Sequence, residues 1–264
     1  MIKRSIWRLL NLCSHFGIDI SQFYKSVTNL PIYVKHAYNY KISTSDNNRF
    51  PLRIGRLNPI LTEFKEGAGN ARGHYFFQDL WAAQKIYNAQ PTRHVDIGSR
   101  IDGFIAHLLV FRSVEVIDIR PLKSNIPGLT FVQENATDLF RFKDNSLESI
   151  SSLHAIEHFG LGRYGDPLDP DACFKAMDAL ARVLQPGGRL YFSVPIGIER
   201  VEFNAHRVFA PETILKTFQR LDLLSFGAVD DMGSFHPTAH PEDFSGADFS
   251  CGFFEFTKTG RPVI

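Results

Sequence analysis

Nine residues and one later carboxylate narrow the folds open to this chain more than any other feature. Val95-Asp96-Ile97-Gly98-Ser99-Arg100-Ile101-Asp102-Gly103 reads as a short apolar strand entering a glycine-containing turn. Asp118, 22 residues beyond Asp96, closes a second apolar run, Val114-Glu115-Val116-Ile117-Asp118. Strand, glycine turn, helix and a strand ending in an acid is an arrangement that holds a nucleoside on a parallel sheet. Glycine lets the backbone approach the ligand, and the carboxylate takes both ribose hydroxyls.

The segments around this unit repeat its logic. Residues 74–88 predict a helix, with Phe77, Leu80 and Trp81 at the spacing of one buried face. Strands are expected at 93–97, 114–119, 129–133, 147–153 and 188–194, with helices at 102–111, 170–184 and 211–220. Pro211 suits the first turn of the last helix, having no N–H to leave unpaired. Such alternation means crossover connections and a parallel sheet covered by helices on both faces. Strands 222–230 and 251–258 have no convincing helix between them, so the last strand is expected to return antiparallel, at the sheet's edge. Residues 1–72 read as a partly helical N-terminal extension and 73–264 as one α/β domain.

Charge excludes some partners. The 29 Lys and Arg against 28 Asp and Glu leave a formal charge of +1, so no field favours nucleic acid. Cys13, Cys173 and Cys251 are odd in number and far apart, which points to a reduced compartment and to neither a disulfide frame nor a zinc site. No apolar run approaches the roughly 20 residues that span a bilayer. Residues 1–12 read as a short amphipathic helix able to make peripheral membrane contact, and the expected location is the cytoplasm.

The segment Val183-Leu184-Gln185-Pro186-Gly187-Gly188-Arg189-Leu190 resembles the L-x-P-G-G-x-L turn of class I S-adenosylmethionine-dependent methyltransferases. It stands in phase with Asp96-x-Gly98, Asp118 and Ala155-Ile156-Glu157-His158. Three further segments, Tyr75–Trp81, Glu157–Asp166 and Phe203–Arg207, look like an uncharacterised methyltransferase-like family of domains of unknown function, with some relatives in polysaccharide biosynthesis. The resemblance implies a Rossmann-like three-layer sandwich with a mostly parallel seven-stranded sheet and an antiparallel last strand. It implies S-adenosyl-L-methionine as cofactor. Asp96, Gly98 and Ser99 would approach its methionine part, Asp118 its ribose, and Ile119 its adenine. Asn135 would accept from the adenine amino group, Ala136 would donate to the ring, and Ser152 and Leu153 would line the sulfonium. The usual D-x-G-x-G-x-G turn is altered: Arg100 and Asp102 stand where its second and third glycines belong. Arg100 is therefore expected to turn toward the cofactor's carboxylate or an adjacent acid, because a buried unpaired guanidinium is prohibitively costly.

Methyl transfer to a hydroxyl needs in-line positioning and a base, and histidine titrates nearest neutral pH. His154, His158 and His206 lie in loops beyond strand ends, with His206 the first choice because Asn204 and Arg207 flank it. Arg163, Tyr164, Asn204 and Arg207 are the candidate acceptor-binding residues, and Asp169 reads as a helix cap. No metal site is expected: Asp166, Asp169 and Asp171 lack further ligands, and prolines keep His236 and His240 from sharing a helix face. The loop holding those two histidines is expected to cover the site. The expected function is O-methylation of a small-molecule or glycan acceptor, such as a sugar. The alternatives are a scaffold or binding subunit that no longer takes cofactor, and a nucleotide-sugar-modifying Rossmann enzyme. The last should show G-x-G-x-x-G after the first strand, which this chain lacks.

Overall fold

The computed structural model describes residues 13–14, 16–44, 49–64, 66–67, 69 and 71–259. The amphipathic helix expected over residues 1–12 lies outside them. Two compact units divide the chain, Met1–Asn70 and Ala71–Ile264.

In the first unit a 24-residue helix, α1 (Ile20–Ser43), starts where the Asp19 carboxylate accepts from the Gln22 N–H at 2.9 Å. None of its residues is buried, although Ile20, Phe23, Tyr24, Val27, Leu30 and Val34 recur at helical spacing. Among the described residues no helix is long and apolar enough to cross a membrane.

The second unit opens with α2 (Gly73–Ala89) and β1 (Val95–Ile97). A π turn at Ile101–Ile105 runs into α3 (Ala106–Leu109), followed by β2 (Val114–Asp118), β3 (Leu129–Gln133) and β4 (Leu147–Leu153). Then come α4 (Ala172–Val183), β5 (Leu184–Ile196), and a small hairpin of β6 (Arg200–Glu202) and β7 (His206–Val208). The chain finishes with α5 (Pro211–Thr217), β8 (Asp222–Val229), β9 (Phe235–His236) and β10 (Ser250–Thr257).

The main sheet has the order β3-β2-β1-β4-β5-β10-β8-β9. Its first five strands are parallel, while β10 runs antiparallel to both β5 and β8. The antiparallel return of the last strand is as expected, but its place is not. β10 inserts between β5 and β8, and the two-residue β9 occupies the edge, making eight strands. Burial explains the insertion: seven of the eight β10 residues are buried, so this strand needs a neighbour on each side and a cover on each face.

Side chains alternate between two cores, as the strand period of two requires. Leu190, Phe192, Val194 and Ile196 of β5 pack with Phe254 and Phe256 of β10 against α4 and α5. Tyr191, Cys251 and Phe253 point the other way, to Trp81, Ala82 and Ile86 of α2 and Leu108 of α3. The buried face of α2 is rotated from the expected one. Phe77 is only partly buried, whereas Gln78 is buried and accepts from Ser193 Oγ at 2.6 Å.

Candidate functional site

The carboxyl ends of the parallel strands open into a cleft of about 590 Å³, within the usual range for small-molecule sites. Gly98, Arg100, Asp118, Ile119, Asn135, Ala136, His154, His158 and Tyr164 line it, together with Tyr75 and Arg120. Asp96, Ser99, Ser152, Leu153, Arg163, Asn204, His206 and Arg207 are outside that lining.

Gly98 is required twice over. Its φ is +73°, and a Cβ there would stand 3.0 Å from the Ala155 Cβ, so the turn at β1 lies close against the segment after β4. Asp96 sits beneath the turn, fully buried, and accepts from the Ser99 N–H at 3.0 Å, Ser99 Oγ at 2.6 Å and Ser151 Oγ at 2.5 Å. Ser99 Oγ in turn accepts from the Leu153 N–H at 3.0 Å, and Ser152 Oγ donates to the Ile97 carbonyl at 2.9 Å. Burial pushes the Asp96 carboxyl up to about 7 against the pull of these hydroxyls. Asp96, Ser99 and Ser152 therefore tie β1 to β4. Direct contact with a cofactor, expected for them, does not fit their burial.

Arg100 leaves the turn clear, as expected of it. Its guanidinium pairs with Asp102 at 3.2 Å and lies 4.8 Å over the Tyr75 ring. Asp118 was not expected to be engaged already, yet Arg120 grips both of its oxygens, with Nε at 2.9 and 3.1 Å and Nη2 at 2.5 Å. Arg120 also donates to the Gly98 carbonyl at 3.3 Å and stacks over Tyr164 at 4.8 Å. The signal was local: the chain bends at Ile119-Arg120, where the Asp118 carboxylate also accepts from the Arg120 N–H at 2.8 Å, as aspartates do two residues on in a turn. Asn135 differs from its expected role too. Its carboxamide oxygen already accepts from the Thr137 N–H at 3.0 Å and Thr137 Oγ1 at 2.6 Å, which uses both lone pairs.

The opposite wall follows β4. His154 has a φ of +48°, a conformation costing a non-glycine residue about 1–3 kcal/mol and found where other interactions fix it. Its Nδ1 donates to Glu157 Oε1 at 2.6 Å, and its Nε2 stands 3.2 Å from Cys251 Sγ. Burial opposes a charge on this ring, but the Cys251 sulfur and Glu157 carboxylate hold its proton well above the usual range. Burial also favours the acid form of Glu157, yet His154 keeps it ionised and below its ordinary value. Glu157 Oε2, buried as well, has no hydrogen-bond partner among the described residues.

His158 Nδ1 donates to the Ala205 carbonyl at 2.7 Å, which leaves Nε2 bare in the neutral ring. Burial lowers its proton affinity more than Glu157 raises it. His206 stands behind, on β7, 3.7 Å from Glu202 and with its ring 5.0 Å from that of Phe249. Arg207 braces the loop backbone, donating to the carbonyls of Phe159 at 2.7 Å and Pro170 at 3.1 Å. Arg163 donates to the Ala205 carbonyl at 2.9 Å. Asp166 gathers the N–H groups of Gly160, Gly162 and Tyr164. Gly160 is indispensable to that loop, since a Cβ there would stand 1.9 Å from the Asp169 carbonyl. Asp169 accepts from the Asp171 N–H and Lys175, and Asp171 is the residue at the cap of α4. The His236–His240 loop packs on β8, where the Ala239 N–H donates to the Phe226 carbonyl, and contributes nothing to the cleft lining.

The strand order decides the fold. Setting aside the short β6–β7 hairpin and the edge strand β9, it runs third, second, first, fourth, fifth, last, penultimate, with only the last reversed. The chain has the class I methyltransferase fold. A family model described as a Caenorhabditis protein of unknown function, DUF268, matches residues 116–232 of this methyltransferase-like chain. No curated protein matches it in sequence. Among solved structures it is similar to the [4+2]-cyclase SpnF, at 13% identity and a TM-score of 0.51, covering 91% of this chain and 95% of that one. It is also similar to a putative sarcosine dimethylglycine methyltransferase from Galdieria sulphuraria (17% identity, 70% and 86% covered, TM-score 0.49). A third is the 1,6-didemethyltoxoflavin-N1-methyltransferase of Burkholderia thailandensis, solved with S-adenosylhomocysteine (16% identity, 69% and 78% covered, TM-score 0.48).

Proposed function

We propose that the chain is an S-adenosylmethionine-dependent methyltransferase acting on a hydroxyl oxygen, with a sugar or glycan intermediate as acceptor. The observation that carries this reading is the cleft itself: Gly98, with its positive φ, and Asp118 meet in one lining at the ends of β1 and β2. That is where open α/β sheets receive nucleosides. When bound, the cofactor's sulfonium supplies an activated methyl group. Asp118 holds the ribose, Gly98 and Ala136 offer backbone, and Ile117 and Ile119 offer apolar surface to the adenine.

On the acceptor side His158 is the better base. It lines the cleft, its Nδ1 proton is committed to Ala205, and burial keeps the ring neutral at physiological pH. Its bare Nε2 takes the hydroxyl proton. Tyr164, over whose ring Arg120 and Arg163 lie at 4.8 and 5.1 Å, lines the acceptor side, and Asp166 Oδ1, which takes one N–H, accepts from a sugar hydroxyl. The sugar class rests on the resemblance and on this loop.

The Arg120 clasp on Asp118 favours a second reading, a binding subunit whose ribose site is closed. Titration calorimetry with S-adenosylhomocysteine separates the two. Binding is expected, and Asp118→Ala should weaken it by about 1.5–3 kcal/mol, the range for a hydrogen bond to a charged group. No heat and no thermal shift at roughly millimolar ligand would sink the methyltransferase reading.

A further inference from the structure

His74, His154 and Cys251 offer ligand atoms that lie within 4.8 Å of one another. The three come from the first turn of α2, the loop after β4, and the second residue of β10. We infer that they form a site for one zinc-class divalent ion beside the cleft. The donor set, two imidazole nitrogens and a sulfur, suits a borderline-soft metal and not calcium or magnesium, which take oxygen.

The surrounding groups support a ligand role better than a packing role. Glu157 accepts from His154 Nδ1 at 2.6 Å, which turns the ring so that Nε2 faces Cys251 Sγ at 3.2 Å. A carboxylate behind a histidine in this way fixes the tautomer a metal needs. The His74 ring lies parallel to that of His154, 4° apart in plane with centroids 5.4 Å apart. The positive φ of His154 is a cost that ordinary core packing gives no reason to retain.

Tetrahedral zinc with bonds of about 2.0–2.3 Å sets its ligand atoms about 3.5 Å apart. The His154–Cys251 pair is already near that separation. His74, partly buried on the first turn of α2, can close the remainder by side-chain rotation. On binding, the metal takes the place of the proton shared between Cys251 Sγ and His154 Nε2, and that proton leaves to solvent. Three protein ligands leave a fourth position for water or a substrate heteroatom. Because His154 also lines the cleft, the ion and an acceptor in the cleft are neighbours.

Cobalt(II) tests this without any knowledge of the substrate. Full-length, metal-stripped protein titrated with Co²⁺ should take up one ion per chain and develop a near-ultraviolet thiolate-to-cobalt band. Cys251→Ser should abolish the band while far-ultraviolet circular dichroism stays native. His74→Ala, at a half-buried position, should weaken binding at least tenfold in protein whose far-ultraviolet circular dichroism stays native. Glu157→Gln should weaken it by about 10–100-fold, the usual effect of losing the group behind a ligand histidine. Zn²⁺ should displace Co²⁺ and protect Cys251 from alkylation. Absence of the band in folded wild type, its survival in Cys251→Ser, or unchanged affinity in folded His74→Ala would each overturn the proposal. Because no arm uses S-adenosylhomocysteine or turnover, failure here leaves the methyltransferase reading intact.

Discussion

At the ends of β1 and β2 each acid has a partner close by in sequence: Asp96 holds Ser99 as well as Ser151 of β4, and Asp118 holds Arg120. Across the cleft the polar cluster is assembled from distant segments, with His74, His154, Glu157 and Cys251 drawn from α2, the loop after β4 and β10. The two walls also differ in what they leave unmet. Both Asp118 oxygens are engaged by Arg120, whereas Glu157 Oε2 is buried without a donor among the described residues. Burying such an atom costs about 1–3 kcal/mol. Local capture completes a wall before any ligand arrives; long-range assembly leaves one short of a partner. A ligand on the first wall must compete with Arg120, whereas on the second the unmet atom is buried beside His154, outside the cleft lining.

The largest effect should come from the second wall. His158→Ala is expected to lower turnover by about 10²–10⁴, the usual loss with a general base, while S-adenosylhomocysteine affinity stays nearly unchanged. His206→Ala, outside the cleft lining, should do much less. Because His158 must be neutral and burial lowers its proton affinity, activity should persist as pH falls below the ordinary histidine range, then decline as the ring protonates. A pH–rate profile checks the sign. If His206→Ala is the more damaging variant, the base lies on β7 and the contrast between the walls has been misread.

The next effect belongs to the first wall and is one of stability. The folded Asp96 carboxyl binds its proton up to about pH 7, against about 3.9 in an unfolded chain. Between those values the native state holds more protons than the unfolded one, so this group's contribution falls as pH rises, by on the order of 4 kcal/mol across the window. His94, buried between Ser149 and Ser151, is held down to about 3 by burial, and its contribution runs the other way, lost as pH falls below about 6.5. Asp96→Asn should therefore flatten the decline toward neutral pH and leave the acid side to His94. Urea unfolding at several pH values measures both slopes. An unchanged slope in Asp96→Asn would mean that the buried carboxyl is not proton-linked to folding.

The same contrast governs what could be read from residues alone. Strands β3 and β4 fall at the expected positions because their apolar runs are bounded by turns. Gly98, Asp118 and Ala136 could be placed in one cleft because turn and strand-end chemistry is local. The insertion of β10 was hidden, since Cys251-Gly252-Phe253-Phe254 shows that the strand is buried but not which strands flank it. Cys251 was hidden for the same reason, since only the register of β10 on β5 brings it to His154, and His74 reaches that ring from the first turn of α2, a contact between distant segments. Arg120 was local and could have been found, had the partner of Asp118 been sought before its ligand.

Arg120 gives the smallest effect and decides how the first wall works. Its side chain is 41% exposed, so the ion pair with Asp118 should contribute no more than about 1 kcal/mol to stability. Arg120→Ala should leave the melting temperature nearly unchanged. It also frees Asp118 Oδ2 for a ribose hydroxyl and leaves Oδ1 with only the backbone N–H of residue 120, at 2.8 Å, and if the clasp only competes with the ligand, affinity for S-adenosylhomocysteine should rise. A gain of about tenfold corresponds to about 1.4 kcal/mol, a reasonable share of one charge-assisted contact. Arg120→Lys keeps the charge but loses the two-pronged geometry, so its affinity should fall between the other two. The opposite order, with Arg120→Ala the weakest binder, would show that the guanidinium touches the ligand itself. Arg120 and Tyr164, which it covers at 4.8 Å, would then belong to the ligand's own contacts, and the first wall would be as unfinished without its ligand as the second.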